Sequence, residues 1–302
     1  VDETLLNIEI DCFGYDMSAW YPWLLAKSEL KVPTKEGKEI YINILSFPLK
    51  YGYYCCKVSG NDINKIFSFS KDDVYTHYSL NFINEYNKSV HKDDQIKIQL
   101  YLNKDVNAYI YEDEDLVEAK TIFINWYDKV MNLKKQATSN KLVKKLSSSL
   151  WGYLTQYERF FCDDEDKYFD MDVSYKHEWE KETEYKMLKE LYDEQGNLIR
   201  YEMIRTENPY KHGLARLKSF LTSYSRSLIG QLIIDEKLYK DVVRVHTDGI
   251  VLNRKHDFSK CRYDINEEAK TTGKLTWYSC NTNNIIMEKR KDKQNIYKQT
   301  KI

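Results

Sequence analysis

The sequence is short of residues that break a chain up: its 302 residues include 10 glycines and 4 prolines, with no Gly/Ser-rich or Pro-rich run. Long flexible joints are therefore not expected. Cysteine is scarce as well. The six cysteines (Cys12, Cys55, Cys56, Cys162, Cys261 and Cys280) form no C-x-x-C pair. That excludes zinc-ribbon spacing and a disulfide framework, leaving them as small apolar core residues in a reducing compartment. No stretch approaches the roughly 18 apolar residues of a membrane-crossing helix, and the N-terminus lacks the pattern of a secretion signal. Neither sign of charge dominates, with 46 Lys plus Arg against 47 Asp plus Glu and a net charge of −1. A wholesale basic coat is excluded, and any contact with nucleic acid has to use local basic patches. Also missing are G-x-G-x-x-G after a strand, G-x-x-x-x-G-K-[ST] and H-E-x-x-H, so dinucleotide, P-loop and metalloprotease readings lack their mechanical parts.

What is present is a globular composition, 42% hydrophobic and 31% charged, long enough for one large or two modest domains. Leu5 to Phe13 reads as a strand that passes through Gly14-Tyr15-Asp16 into a helical pattern from Ser18 to Lys27. β signals dominate from Lys31 to Tyr111, over Ile40 to Phe47, Tyr51 to Val58, Gln95 to Tyr101 and Ala108 to Tyr111, with a short helix over Asp73 to Glu85. Helical periodicity follows over Asp115 to Thr138 and Lys141 to Gln156. Phe160 to Tyr210 is a polar, partly β region with an acidic cluster at Asp163 to Asp166 and a hairpin turn at Glu194-Gln195-Gly196-Asn197. Gly213 to Glu236 is a strong amphipathic helix, and Val242 to His246 and Ile250 to Leu252 form a hairpin whose turn is Thr247-Asp248-Gly249.

Three elements carry chemistry. Asp16 sits between a strand and a helix, Asp248 sits in a hairpin turn, and between them Lys144 and Ser148 share one helix face at i, i+4 spacing. Taken singly, each has an ordinary reading. Asp16 reads as a helix N-cap, Asp248-Gly249 as a turn in which Gly supplies positive φ, and the run of lysines from Lys134 to Lys145 as a solvated basic helix.

Taken in order, Asp16-Met17-Ser18-Ala19-Trp20-Tyr21-Pro22, then Lys144 through Ser148-Ser149-Leu150-Trp151-Gly152, then His246-Thr247-Asp248-Gly249 resemble the family B DNA polymerase motifs D-x-x-S-L-Y-P, K-x-x-x-N-S-x-Y-G and Y-x-D-T-D-S. The likeness is to the protein-primed branch of phages, adenoviruses and linear plasmids. It implies an α+β fold: a palm of antiparallel sheet with packed helices, helical fingers and two inserted subregions. The corresponding boundaries are palm over 1–30, a first insertion over 31–112, fingers over 113–156, a second insertion over 157–212, palm again over 213–285 and a thumb-side segment over 286–302.

The resemblance implies that Asp16 and Asp248 are the catalytic carboxylates. With the backbone carbonyl of Met17, they would hold two Mg²⁺ ions, for which Mn²⁺ could substitute. It implies nucleotide binding by Tyr21, Lys144 and Ser148, with Tyr21 obstructing a 2′-hydroxyl. Ser149, Trp151 and Gly152 would line the nascent base pair, and Lys293 and Tyr297 in the basic tail would contact primer. The partners implied are primer-template DNA, dNTPs and a terminal priming protein, in the cytoplasm of a host cell. Departures from the pattern are Ser148 for Asn, Trp151 for Tyr, His246 for the first aspartate of D-T-D, and Gly249 for Ser. They keep a second reading open, a catalytically inactive homologue that holds DNA or the priming protein, and a third is a domain unrelated to polymerases. A chain that begins at Val1, with 15 residues before Asp16, is expected to be the palm-and-fingers part of a larger polymerase, without its exonuclease and thumb.

Overall fold

The structure, a computed structural model, describes residues 5–60, 66–136, 140–162, 185–205, 210–211, 213–281 and 284–289. The acidic cluster Asp163 to Asp166 and the tail residues Lys293 and Tyr297 lie outside the described residues. The chain divides into two compact units, Val1–Asn132 with Ser219–Ile302, and Leu133–Lys218.

The first unit opens with β1 (Glu9–Met17), α1 (Trp20–Lys27), β2 (Lys31–Pro33), β3 (Lys38–Ile40), β4 (Gly52–Ser59), β5 (Val74–Thr76), α2 (His77–Ser89), β6 (Lys97–Leu100), β7 (Ala108–Ile110) and β8 (Leu116–Glu118). The helix α3 (Ala119–Gln136) runs into the second unit, which holds α4 (Asn140–Leu154) and the strands β9 (Arg159–Cys162), β10 (Tyr185–Tyr192) and β11 (Leu198–Arg205). The chain returns through α5 (Leu217–Asp235), β12 (Val242–His246), β13 (Gly249–Leu252), β14 (Ile265–Glu267), β15 (Gly273–Asn281) and β16 (Asn284–Lys289).

Pairings between these strands are antiparallel. The sheet that carries both aspartates has the order β12-β13-β1-β15-β16, with β14 also paired to β1. A second sheet runs β3-β7-β4-β5 with β6 on β4, and β2 pairs β8. In the second unit β10-β11-β9 form a three-stranded sheet. The helix α5 is the spine of the first unit. Phe220, Leu221, Ile229, Leu232 and Ile233 recur at helical spacing and are buried. Phe220 packs its ring against Tyr51 and Tyr53 at centroid distances of 4.3 and 4.6 Å. The same helix joins α2's N-cap through Thr76 Oγ1, which donates to Ser223 Oγ at 2.6 Å.

Local differences from the sequence reading have visible causes. Gly14 does not end the first strand, which runs through Asp16 to Met17. The glycine instead makes room for a crossing segment, since a Cβ there would stand 1.8 Å from Thr271 Oγ1. Of the expected strand from Ile40 to Phe47, only Ile40 pairs, as the last residue of β3. Beyond it the side-chain amide of the fully buried Asn107 takes the place of a strand partner: Ile42 N donates to Asn107 Oδ1 at 2.8 Å, and Asn107 Nδ2 donates to Ile42 O at 2.8 Å. The expected helix from Asp73 starts four residues later, because Val74–Thr76 pairs with β4 and Thr76 then caps the helix. The hairpin turn at Glu194–Asn197 is present, with Gly196 at φ 84 and the Asp193 carboxylate accepting from the amides of Gln195 and Asn197. No helix among the described residues is long and apolar enough to cross a membrane.

Candidate active site

The two aspartates, remote in sequence, meet where β1 runs beside the β12–β13 hairpin. Asp16 is paired with Gly249 on one side and with Asn266 on the other, and Gly249 is in turn paired with His246. Directly opposed residues of antiparallel strands present their side chains on the same face. His246, Gly249, Asp16 and Asn266 therefore form one row across four strands. The Met17 amide donates to the Asp248 carbonyl at 3.1 Å, tying the hairpin tip to the end of β1. Oδ1 of Asp16 lies 4.0 Å from where a Cβ on Gly249 would stand, so the Asp16 carboxylate leans over the hairpin into space that a bare glycine leaves open. Both aspartates are half-buried.

Asp16 does not serve the ordinary purpose its local sequence suggests, and Asp248 lies in a hairpin turn whose positive φ falls elsewhere than at its glycine. The N-cap of α1 is Ala19, in the left-handed region at φ 48 and ψ 43 with no side-chain cap bond, so Asp16 is not a cap. In the hairpin, the two-residue loop is Thr247-Asp248, and it is Thr247 that takes positive φ (55), while Gly249 is an ordinary strand residue. A β-branched residue at positive φ is a true backbone outlier.

The surroundings set the charges. Burial pushes the Tyr21 phenol up, opposed by a hydrogen bond with Ser225 and reinforced by the negative charge of Asp248. Tyr21 is therefore a neutral phenol near the second carboxylate. Burial, followed by the Arg244 and Lys270 charges, pulls the His246 imidazole down against the opposing pull of Glu268. At neutral pH the ring standing where D-T-D has an acid is uncharged. Its Nδ1 is 3.2 Å from Thr247 Oγ1.

Tyr21, Tyr53, Ser225, Arg226, His246 and Thr247 are among the residues lining a cleft of about 930 Å³ that opens from the hairpin tip along α5. A separate cavity of about 640 Å³, lined by Tyr15, His256 and Phe258, lies on the side of β1 away from Asp16, since successive strand residues alternate faces. Among the described residues no group of three or more His, Cys, Asp or Glu converges. The donor set is thus two carboxylates with neighbouring backbone. It fits a hard divalent cation that keeps water and substrate phosphate in its shell, and does not fit a closed protein cage.

Lys144, Ser148, Ser149, Trp151 and Gly152 all fall on α4 in the second unit. The side chains of Lys144, Ser148 and Trp151 lie outside the described residues. Ser149 donates its hydroxyl to the Leu146 carbonyl at 2.8 Å, and a Cβ on Gly152 would meet nothing within 4 Å. The sequence reading overlooked Ser225 and Arg226. The available signal was the polar run Thr222-Ser223-Tyr224-Ser225-Arg226-Ser227 inside an otherwise amphipathic helix, in which Ser225 is 1% exposed. Desolvation pulls the Arg226 guanidinium down to about 10.

No protein-family model and no curated protein matches the sequence. Solved structures do. Phi29 DNA polymerase complexed with single-stranded DNA aligns with a TM-score of 0.55 at 14% identity, over 97% of this chain and 48% of that chain. Its ternary complex with primer-template DNA and incoming nucleotide substrates aligns at 0.53 and 13% identity, over 87% of this chain and 42% of that one. The post-translocation binary complex with primer-template DNA gives 0.51 and 13%, over 87% and 41%. The chain therefore spans less than half the length of these polymerases. The resemblance to protein-primed family B DNA polymerases read in the motifs has its counterpart in three dimensions: over most of its length this chain has the fold of phi29 DNA polymerase.

Proposed function

We propose that the protein is the palm-and-fingers part of a template-directed DNA polymerase, one that extends a primer during protein-primed replication. The observation that carries this reading is the meeting of Asp16 and Asp248, through the Asp16–Gly249 pairing and the bond between the Met17 amide and the Asp248 carbonyl. In the reaction, the primer 3′-oxygen forms a bond to the α-phosphorus of a dNTP. The bond from that phosphorus to the bridging oxygen breaks, pyrophosphate leaves and the 3′-hydroxyl proton passes to solvent. Two Mg²⁺ ions, when bound, would lower the hydroxyl pKa and neutralise the leaving pyrophosphate.

The chain's own residues hold and orient. Asp16 and Asp248 supply the oxygen ligands, together with the Met17 carbonyl. Tyr21, beside Asp248, stands against the sugar. Lys144 and Ser148 on α4 take the triphosphate, and Ser149, Trp151 and Gly152 the nascent base pair. Lys293 and Tyr297 follow the primer. The similar structures support DNA and nucleotides as ligands, since those polymerases are complexed with primer-template DNA and incoming nucleotide substrates. In this reading a terminal protein supplies the first hydroxyl.

A second reading has one specific observation behind it. The neutral His246 replaces an acid in the row with Asp16, as suits a homologue that holds DNA without extending it. Mg²⁺-dependent primer extension separates the two. Wild-type protein is expected to extend, and Asp16→Asn and Asp248→Asn each to lose about a thousandfold in rate with unchanged circular dichroism and melting temperature. Extension retained by either variant sinks the two-carboxylate assignment. DNA binding without extension by the wild type favours the silent module.

A further inference from the structure

In the motif D-x-x-S-L-Y-P the residue before the tyrosine is Leu; here it is Trp20, and the substitution brings a donor into the core. Trp20 is 2% exposed, and a buried indole N–H requires an acceptor. It finds one in Ser225 of α5: Trp20 Nε1 donates to Ser225 Oγ at 2.7 Å, across 205 residues of sequence. Ser225 is itself 1% exposed. The next residue on α1, Tyr21, also hydrogen-bonds Ser225 through its phenol, and Tyr21 and Ser225 line the same cleft as Thr247 at the hairpin tip.

A serine hydroxyl has one proton and two lone pairs. The Trp20 indole occupies one lone pair, which leaves the proton and the other lone pair for the Tyr21 phenol. Trp20 is in turn clamped, stacked on Trp23 at a centroid distance of 5.6 Å and 4° between planes, with Tyr263 edge-on at 5.0 Å. The orientation of Ser225 Oγ is thus set from the core side, and the Tyr21 ring is held from its hydroxyl end. A tyrosine in the first turn of a helix would otherwise choose among staggered rotamers.

We propose that Ser225 is a positioning residue for Tyr21: it pins the phenol at the cleft wall and thereby sets how strongly the site rejects a ribonucleoside triphosphate in favour of a deoxyribonucleoside triphosphate. The inference rests on the polymerase reading above. It also depends on a hydroxyl at position 225 acting through Tyr21, beyond simply satisfying the Trp20 indole.

Single-nucleotide insertion on a primed template by the full-length protein, with matched dNTP and NTP, tests it. Ser225→Ala and Tyr21→Phe each remove the tether, and each is expected to lower the dNTP-over-NTP ratio of kcat/KM by about tenfold, the scale of one hydrogen bond. The change is expected in KM for the NTP. Because both substitutions delete the same bond, the double variant is expected to be no less selective than either single one. Ser225→Thr, which keeps the hydroxyl, is expected to restore the ratio. If Ser225→Ala does not fold, Ser225→Cys decides, since it keeps the size of the side chain with a much weaker hydrogen-bonding group and is expected to lower the ratio likewise. A lowered melting temperature with an unchanged ratio overturns the proposal and leaves Ser225 as a partner of Trp20 alone. Wild-type insertion that does not discriminate overturns the proposal but not the polymerase reading, whereas absence of insertion by folded wild-type protein overturns both.

Discussion

Gly14 lies two residues before Asp16 on β1, and replacing it with alanine should be among the most costly single-methyl additions in the first unit. The segment Glu268 to Thr272 crosses β1 here and uses both backbone groups of the glycine: Gly14 N donates to Thr272 Oγ1 at 3.0 Å, and Glu268 N donates to Gly14 O at 2.7 Å. A Cβ on residue 14 would stand 1.8 Å from Thr271 Oγ1, 2.6 Å from Thr271 Cβ and 3.0 Å from the Thr271 carbonyl carbon. Rotating the threonine relieves only the first contact. The other two require the crossing segment to lift, which stretches the two hydrogen bonds at about 1 kcal/mol each and adds roughly 1–3 kcal/mol of overpacking. Against this, alanine recovers about 0.5–1 kcal/mol of strand propensity. The net expectation is a loss of about 2–4.5 kcal/mol, which at about 2–4 °C per kcal/mol for a unit of this size lowers Tm by roughly 4–18 °C. Thermal unfolding followed by circular dichroism reads this directly. Adding Thr271→Gly, which deletes both Oγ1 and Cβ, should return much of the loss and give a clearly non-additive double-mutant cycle. A Gly14→Ala protein melting within about a degree of wild type, or an additive cycle, would refute the close-approach argument.

Two further outcomes follow from the second sheet and its helix. His77 is buried against Tyr78 and Tyr51, and its Nδ1 accepts from the Gly52 amide at 3.3 Å. Burial pulls its imidazole down to about 3, with the Lys31 charge acting in the same direction. The unfolded chain binds the proton near pH 6.5 and the folded one only near 3, so its stabilising contribution is complete above 6.5. That contribution is lost as pH falls, by roughly 1.4 kcal/mol per unit within the window. Tm measured from pH 7 to pH 4 should drop, and His77→Gln should flatten the profile. Separately, Asn107→Leu removes three side-chain bonds, two to Ile42 and one to the Tyr101 carbonyl. It should lower stability by about 3 kcal/mol in urea, with faster hydrogen exchange at the Ile42 amide.

Periodicity located the helices α3, α4 and α5 to within a few residues, because their apolar positions recur at 3.6 spacing regardless of partners. It failed where a single side chain or a remote segment decides the outcome. Asn107 replaces a strand partner for Ile42, and Thr271 crosses over Gly14, and neither relation has a local signature. The candidate site divides in the same way. Asp16 and Asp248 were legible as a pair only through the ordered motifs, since locally one reads as a cap and the other as a turn. Ser225 was not legible, because its role depends on what lies opposite it, on α1.

Backbone strain at the junction bears on why the two aspartates are held where they are. Each is flanked by a non-glycine residue in the left-handed region, Ala19 three residues after Asp16 and Thr247 immediately before Asp248. Such residues cost about 1–2 kcal/mol apiece, and they persist only where their surroundings over-determine them. At Ala19 those surroundings are visible: its carbonyl accepts from Trp23 N at 2.8 Å, and Trp20, Trp23 and Tyr263 lock the first turn of α1 with mutual ring contacts of 5.0 to 5.6 Å. At Thr247 the loop is tied to β1 through the Met17 amide and to β12 through the Thr247–His246 contact. A cap residue in extended backbone at the start of α1 would relieve the strain at Ala19, and Gly249 taking the positive φ of the turn would relieve that at Thr247. The strain is thus located at the junction where the Met17 amide meets the Asp248 carbonyl, on β1's exit on one side and at the hairpin tip on the other.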